Sequence, residues 1–224
     1  MFVGHYAAAL AAKSVEPRGR LWTYAAACQL MDIGWSSLVM GGVEKMRVDP
    51  NLPGSAMDLY YMPFTHSLPG SLAWSLAGAL LARYALRLPW RAAGLAGAVV
   101  FSHWLLDLLV HRPDLALWFG GPKVGLGFWN YPLPEMALEL GLVGLAGGAW
   151  IAARKEIGQK AWPVLAFMAY LTALQMVASF TPESGDPVKG GAMALAVYLL
   201  TTAVAWFVDR SKAAVAAPAR LAVA

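Results

Sequence analysis

Apolar residues run along this chain in blocks rather than alternating with polar ones. Near-continuous stretches occupy residues 21–43, 68–82, 92–110, 133–153, 161–180 and 190–208, divided by short gaps rich in Gly, Pro and charge. A helix rising 1.5 Å per residue needs about 20 such residues to cross a hydrocarbon layer of ~30 Å. The pattern predicts six transmembrane helices, over 20–42, 66–86, 91–111, 132–153, 161–181 and 189–209. An earlier run, FVGHYAAALAA, is too short to span and predicts a half-inserted N-terminal helix. It lacks the basic start of a cleavable signal and reads as part of the mature protein. The expected fold class is all-α: a polytopic helical membrane protein, with one integral membrane domain over 1–210 and a loose cytoplasmic tail over 211–224.

Composition agrees. Of 224 residues, 59% are hydrophobic and 13% charged, about half the charge of an average globular domain. The net charge of +4 does not point to nucleic acid, because the basic residues sit in the gaps between apolar blocks instead of forming one patch. Twelve of the 17 fall on one face when the spans alternate, among them Arg20, Arg83, Arg91, Arg154 and Arg210. The other five are Lys45, Arg47, Arg112, Lys123 and Lys189. That asymmetry makes the first face cytoplasmic, with the C-terminus inside, as expected in a bacterial inner membrane. The single cysteine, Cys28, excludes an internal disulfide and a cysteine-cluster metal site.

The chemistry lies in FSHWLLDLLVHRPD. His103, Asp107 and His111 follow one another at steps of four and share a helix face. Counting from Arg91, they stand ~18, ~24 and ~30 Å above the cytoplasmic edge. Asp32 is ~18 Å up its own span, and Glu139 ~10 Å below the outer start of the fourth. His66 and Glu135 begin spans at the outer boundary, and His5 sits ~12 Å above Lys13. All four histidines therefore share the outer side of the membrane with these four acids. Charged groups at such depth are expensive and are turned inward and paired. Imidazole nitrogen with carboxylate oxygen suits zinc, and also manganese or iron. His103 and Asp107 can reach one ion from a single helix, and Glu135 and Glu139 repeat the spacing.

Plainer readings stand beside this one. The His103–Asp107 pair alone is also what a buried hydrogen bond gives, and Asp32 alone a packing or proton-relay acid. Thr65 or Ser67 can serve as a helix cap, and His111 before Arg112-Pro113 can mark a helix end. The loop over 112–131 carries Trp118, Phe119, Phe128, Trp129 and Tyr131, which fit a lid or an interfacial aromatic belt. Arg112 and Lys123 fit either a phosphate or headgroup contact or ordinary loop charges.

With His5, Asp32, PFTHSL and SHWLLD in that order, residues 1–140 resemble a family of bacterial inner-membrane metal-dependent hydrolases, the LexA-regulated type. That family is thought to be distantly similar to zinc-dependent phospholipase C and P1-type nucleases. The resemblance implies metal-ligand roles for His5, Asp32, His66, His103 and Asp107, with Glu139 standing where a late carboxylate is found. The chain departs from the family pattern at Glu135, where the related phospholipases have histidine. It also departs at LMDIG, which lacks a second aspartate, and at Met62-Pro63, where an arginine often precedes THSL.

The expected function is a metal-dependent hydrolase opening to the periplasmic leaflet, holding a divalent cation, most simply zinc. Its substrate would be a phosphoester, either a small molecule or a membrane lipid. Glu139, Glu135 or His111 would take a proton from water as general base. Two other classes use the same residues: a proton- or metal-coupled carrier, and a scaffold locked by a polar cluster. The last two spans, 161–181 and 189–209, carry no acid, lysine, arginine or histidine in their interiors and are expected to be packing helices, with Gly190, Gly191 and Ala192 suited to close approach.

Overall fold

The computed structural model describes residues 1–210, so the tail expected over 211–224 lies outside the described residues. Among the described residues, eight α-helices make up most of the chain: α1 His5–Val15, α2 Leu21–Cys28, α3 Leu30–Met40, α4 Leu68–Tyr84, α5 Trp90–Val110, α6 Pro132–Glu156, α7 Trp162–Phe180 and α8 Pro187–Val208. Four of them, α5 to α8, are long and apolar enough to cross a bilayer. The remaining helices are shorter. The block over 20–42 is divided at Gln29, whose φ of −109° and ψ of 7° interrupt the ladder between the 8-residue α2 and the 11-residue α3. Helix α4 has 17 residues, begins after Ser67 and has Pro in its first turn. The Ser67 hydroxyl accepts the Gly70 N–H at 3.1 Å, so it is the cap.

Helix α1 lies in the interior, against α2, α5 and α6. Its Tyr6, Ala9 and Leu10 are fully buried, and His5 and Lys13 are buried with them. Small residues set the tightest helix contacts. A Cβ on Gly97 of α5 would stand 2.9 Å from the Ser75 carbonyl oxygen and from Ala79 Cβ of α4. The Ser75 hydroxyl donates to the Gly97 carbonyl at 2.7 Å across the same contact. Gly191 of α8 likewise meets the Ser36 carbonyl of α3, where a Cβ would stand 2.9 Å away. That is the close approach expected of the small residues opening α8.

Two short antiparallel hairpins depart from the all-α expectation. Strands β1 (Lys45–Val48) and β2 (Met57–Tyr61) pair with an irregular register between Lys45 and Arg47. Strands β3 (Leu115–Ala116) and β4 (Lys123–Val124) form the second hairpin. Both connect helix ends at the same end of the bundle, over the C-termini of α3 and α5. Arg112 joins them. Its guanidinium donates to the carbonyls of Pro53, Ser55 and Met57 and to Asn130 Oδ1, at 2.6–3.1 Å. Lys123 Nζ donates to the Tyr60 carbonyl at 2.7 Å. Both cations are thus occupied in holding the cap together, and the five-donor fork of arginine is suited to such convergent carbonyls.

The opposite end is polar as well. Lys13 Nζ lies 2.9 Å from Asp209 Oδ2 and donates to the Pro17 and Gly19 carbonyls. Glu16, in the α1–α2 turn, receives two Arg18 guanidinium hydrogen bonds at 2.7 Å. Those bonds hold its carboxyl below the ordinary carboxylate range.

Candidate metal centre

Four elements deliver the polar cluster. His5 comes from the first turn of α1, Asp32 from the first turn of α3, and His66 from the turn just before α4. His103 and Asp107 come from successive turns of α5, and His111 caps that helix. The structure brings all five expected ligands, His5, Asp32, His66, His103 and Asp107, into one buried group, and adds His111.

The outer nitrogen of three of the rings is held by a group that fixes its proton. His103 Nδ1 lies 2.7 Å from the Cys28 carbonyl oxygen. A carbonyl can only accept, so Nδ1 donates. That carbonyl is available because the break at Gln29 frees it from the helix ladder. His111 Nδ1 lies 2.9 Å from Asp114 Oδ1. His66 Nδ1 lies 2.7 Å from Thr65 Oγ1, whose hydroxyl donates to Glu44 Oε2 at 2.6 Å. Glu44 is buried and also accepts the N–H groups of Phe64 and Thr65 at 2.8 and 2.9 Å. With its proton committed to Glu44, the Thr65 oxygen can only accept from His66. In their neutral forms, His66, His103 and His111 therefore turn a bare Nε2 inward.

Those lone pairs face carboxylate oxygens. His103 Nε2 is 3.1 Å from Asp107 Oδ2 and 3.4 Å from Asp32 Oδ1. His66 Nε2 is 3.3 Å from Asp32 Oδ1 and 3.6 Å from Asp107 Oδ2. His111 Nε2 is 3.4 Å, and His5 Nε2 3.1 Å, from Asp107 Oδ1. Despite these distances, His103 Nε2, Asp107 Oδ2 and both His5 ring nitrogens make no hydrogen bond among the described residues. The atoms converge on common points without pointing at one another. The rings of His5 and His103 also stack in parallel, 3.7 Å between centroids.

A buried acceptor facing another acceptor is unfavourable until something positive lies between them. Four-coordinate zinc with bonds of ~2.0–2.1 Å has ligand atoms about 3.3 Å apart along each tetrahedral edge. The observed separations of 3.1–3.6 Å bracket that value. Two triads offer suitable atoms, His5–His103–Asp107 and Asp32–His66–His103, with His103 common to both. The donor set fits a borderline cation such as zinc, and also manganese or iron. Met1 brings its amine within 2.9 Å of Asp107 Oδ1.

The three expected proton acceptors are disposed differently. Glu139 is fully buried, and its two oxygens receive the N–H groups of Phe2 and Gly4 at 2.8 and 2.7 Å. It pins the segment leading into α1. Glu135, one turn earlier on α6, borders the cavity described next. His111 has both ring nitrogens facing carboxylates, as a ligand would.

A cavity of about 860 Å³ adjoins the cluster and touches Asp32, His66, Asp107 and His111. Its other walls include Trp35 of α3, Leu174 and Val177 of α7, and Met193 and Val197 of α8. Helices α7 and α8, expected only to pack, thus wall the approach to the site. Trp129, from the loop over 112–131, lines the same cavity and lies 4.0 Å from the His111 ring.

Glu44 and Asp114 went unread in the sequence, because each resembles an ordinary loop acid. The available signal was indirect: each lies on a segment that joins a predicted span near a histidine. Compared with known protein families, with curated proteins and with solved structures, the chain matches none.

Proposed function

We propose that this chain is a membrane-embedded metal-dependent hydrolase acting on a phosphoester, as its resemblance to the LexA-regulated family implies. One observation carries the reading: bare imidazole Nε2 atoms and carboxylate oxygens meet at 3.1–3.6 Å, and at the core of the group they do not hydrogen-bond to each other. A network built only for packing would align donors with acceptors.

In this reading His5, Asp32, His66, His103, Asp107 and His111 supply the ligands for one or two cations, and Cys28, Thr65–Glu44 and Asp114 fix the tautomers of three of the rings. A divalent cation bound there supplies Lewis acidity, polarising an ester oxygen and making water easier to deprotonate. Glu135 and Glu139 both border the cavity, and Glu135 is the favoured general base because the Phe2 and Gly4 N–H groups already occupy Glu139. The apolar walls exclude bulk water and strengthen each electrostatic contact inside. The finer topology belongs to the same proposal. The pair α2–α3 and the helix α4 complete six crossings, the C-terminus is cytoplasmic, and the site opens on the periplasmic side of a bacterial inner membrane.

The test is hydrolysis by purified protein that has been stripped with a chelator and reloaded with zinc, manganese or iron. Bis(p-nitrophenyl) phosphate and a phospholipid serve as substrates. Turnover that needs the metal and disappears in Asp107→Asn supports the proposal. Metal-loaded protein that cleaves neither ester, and instead carries the ion across proteoliposomes, would replace it with the carrier reading.

A further inference from the structure

We propose that the cavity beside the cluster seats a hydrocarbon chain. The substrate is then an amphiphile whose chain lies between α7 and α8, with its ester end at the histidine–aspartate group. This rests on the hydrolase reading for what happens at that end, but the observations behind it come from helices outside the resembling segment.

The cavity is polar at the cluster, where Asp32, His66, Asp107 and His111 border it, and again at the loop residues Ser55, Glu183 and Ser184, while α7 and α8 contribute an apolar stretch of Leu174, Val177, Ala178, Met193, Ala194 and Val197. At about 860 Å³ it lies near the top of the usual range for ligand sites, far more than a phosphate head needs. Val177 and Met193 line the cavity and are 63% and 53% exposed, so its wall is not sealed where these α7 and α8 residues stand. Both lie on helices long enough to span a bilayer, within about three turns of their outer ends. A chain in the surrounding leaflet can therefore enter sideways without passing through water.

One further group narrows the class. Gln175 is the only polar residue that α7 contributes to the buried part of the wall: it is 6% exposed, and among the described residues its Oε1 has no hydrogen-bond partner. A buried acceptor left unpaired is costly, so the occupant brings a donor. The ligand is a single-chain amphiphile with a hydroxyl or amide N–H at the junction of head and chain.

The experiment measures binding, not turnover, by titrating three probes into amphipol-exchanged protein. They are dodecanoyl lysophosphatidate, with a chain and a free hydroxyl; dodecyl phosphate, with a chain and no hydroxyl; and glycerol 3-phosphate, with hydroxyls and no chain. Burying even four methylenes predicts that the lysophosphatidate binds at least about 100-fold more tightly than glycerol 3-phosphate. Ala194→Trp, which fills the cavity, should abolish that advantage. Gln175→Leu should weaken the hydroxyl-bearing probe about 10-fold and leave dodecyl phosphate unchanged. Metal content is measured on each variant. Equal binding of long and short probes, or a chain advantage that survives Ala194→Trp, overturns the proposal even if the metal is present and active. Chain-dependent binding in a protein that holds no metal keeps the chain seat and removes the hydrolase reading instead.

Discussion

Replacing Thr65 with valine tests whether the tautomer of His66 is set from outside the cluster. Thr65 is fully buried, and its hydroxyl is the only link between His66 Nδ1 at 2.7 Å and Glu44 Oε2 at 2.6 Å. Valine nearly preserves the shape and removes the link. Glu44 keeps the two N–H groups on Oε1 and loses the donor on Oε2, while His66 Nδ1–H loses its acceptor. Each group left unpaired costs ~1–3 kcal/mol. The ring's alternative is to move its proton to Nε2, which would aim a donor at the very position where a cation needs a lone pair. Losing an outer partner of a ligating histidine typically lowers metal affinity 10–100-fold, or about 1.4–2.8 kcal/mol. The assay is competition for zinc against a chelator of known affinity, with Thr65→Ser as a control that keeps the hydroxyl. We expect a 10–100-fold loss in Thr65→Val and near-native affinity in Thr65→Ser. A folded Thr65→Val protein within twofold of wild type would refute the reasoning.

Three further outcomes follow from the same structure. Lys13→Met removes the cation beside Asp209 and leaves it the Leu21 N–H, so it should lower stability by about 3 kcal/mol, the lower end for a broken buried pair, with partial recovery in Lys13→Met/Asp209→Asn; thermal unfolding of single and double variants measures this. Gly97→Leu drives a side chain into the Ser75 carbonyl and Ala79, so it should cost at least ~1–3 kcal/mol, read as a lower melting temperature in detergent. The Glu16 carboxyl is held below its ordinary value of 4.5 by the hydrogen bonds from Arg18, so its stabilisation is present above that value and is lost as pH falls through the lower folded value. The stability gap between wild type and Glu16→Gln should therefore be constant from pH 7 to about pH 5 and shrink only below about 4.5; a gap that closes between pH 7 and 5 would contradict the assignment.

The ligands were legible because polar side chains in a hydrophobic block are costly enough to need a reason. His103, Asp107 and His111 at steps of four announced a stripe, and Asp32 and His66 converged with it from separate blocks. The support around them was much less visible. The break between α2 and α3 falls in AACQLMD, with neither Gly nor Pro to mark it, and His103 uses the carbonyl that the break frees. This is tertiary structure overriding local pattern. The β1–β2 hairpin did carry a readable signal: NLPG lies between MRV and MDLYY, the turn residues and β-formers expected of a hairpin. The α7 and α8 side of the cavity left little mark in the sequence, since Leu174, Val177, Met193, Ala194 and Val197 are apolar residues like those that face lipid, and Gln175 stands out among them.

The central claim, that the cluster holds a divalent cation, is tested most directly by elemental analysis of detergent-purified protein beside His103→Ala and Asp107→Asn. His103 belongs to both triads and Asp107 to one. The account predicts zinc, manganese or iron at about one or two per chain in the wild type. It also predicts loss of that metal in both variants while they remain folded. A wild-type protein that stays metal-free after incubation with all three ions would contradict it and leave the cluster a protonated polar network.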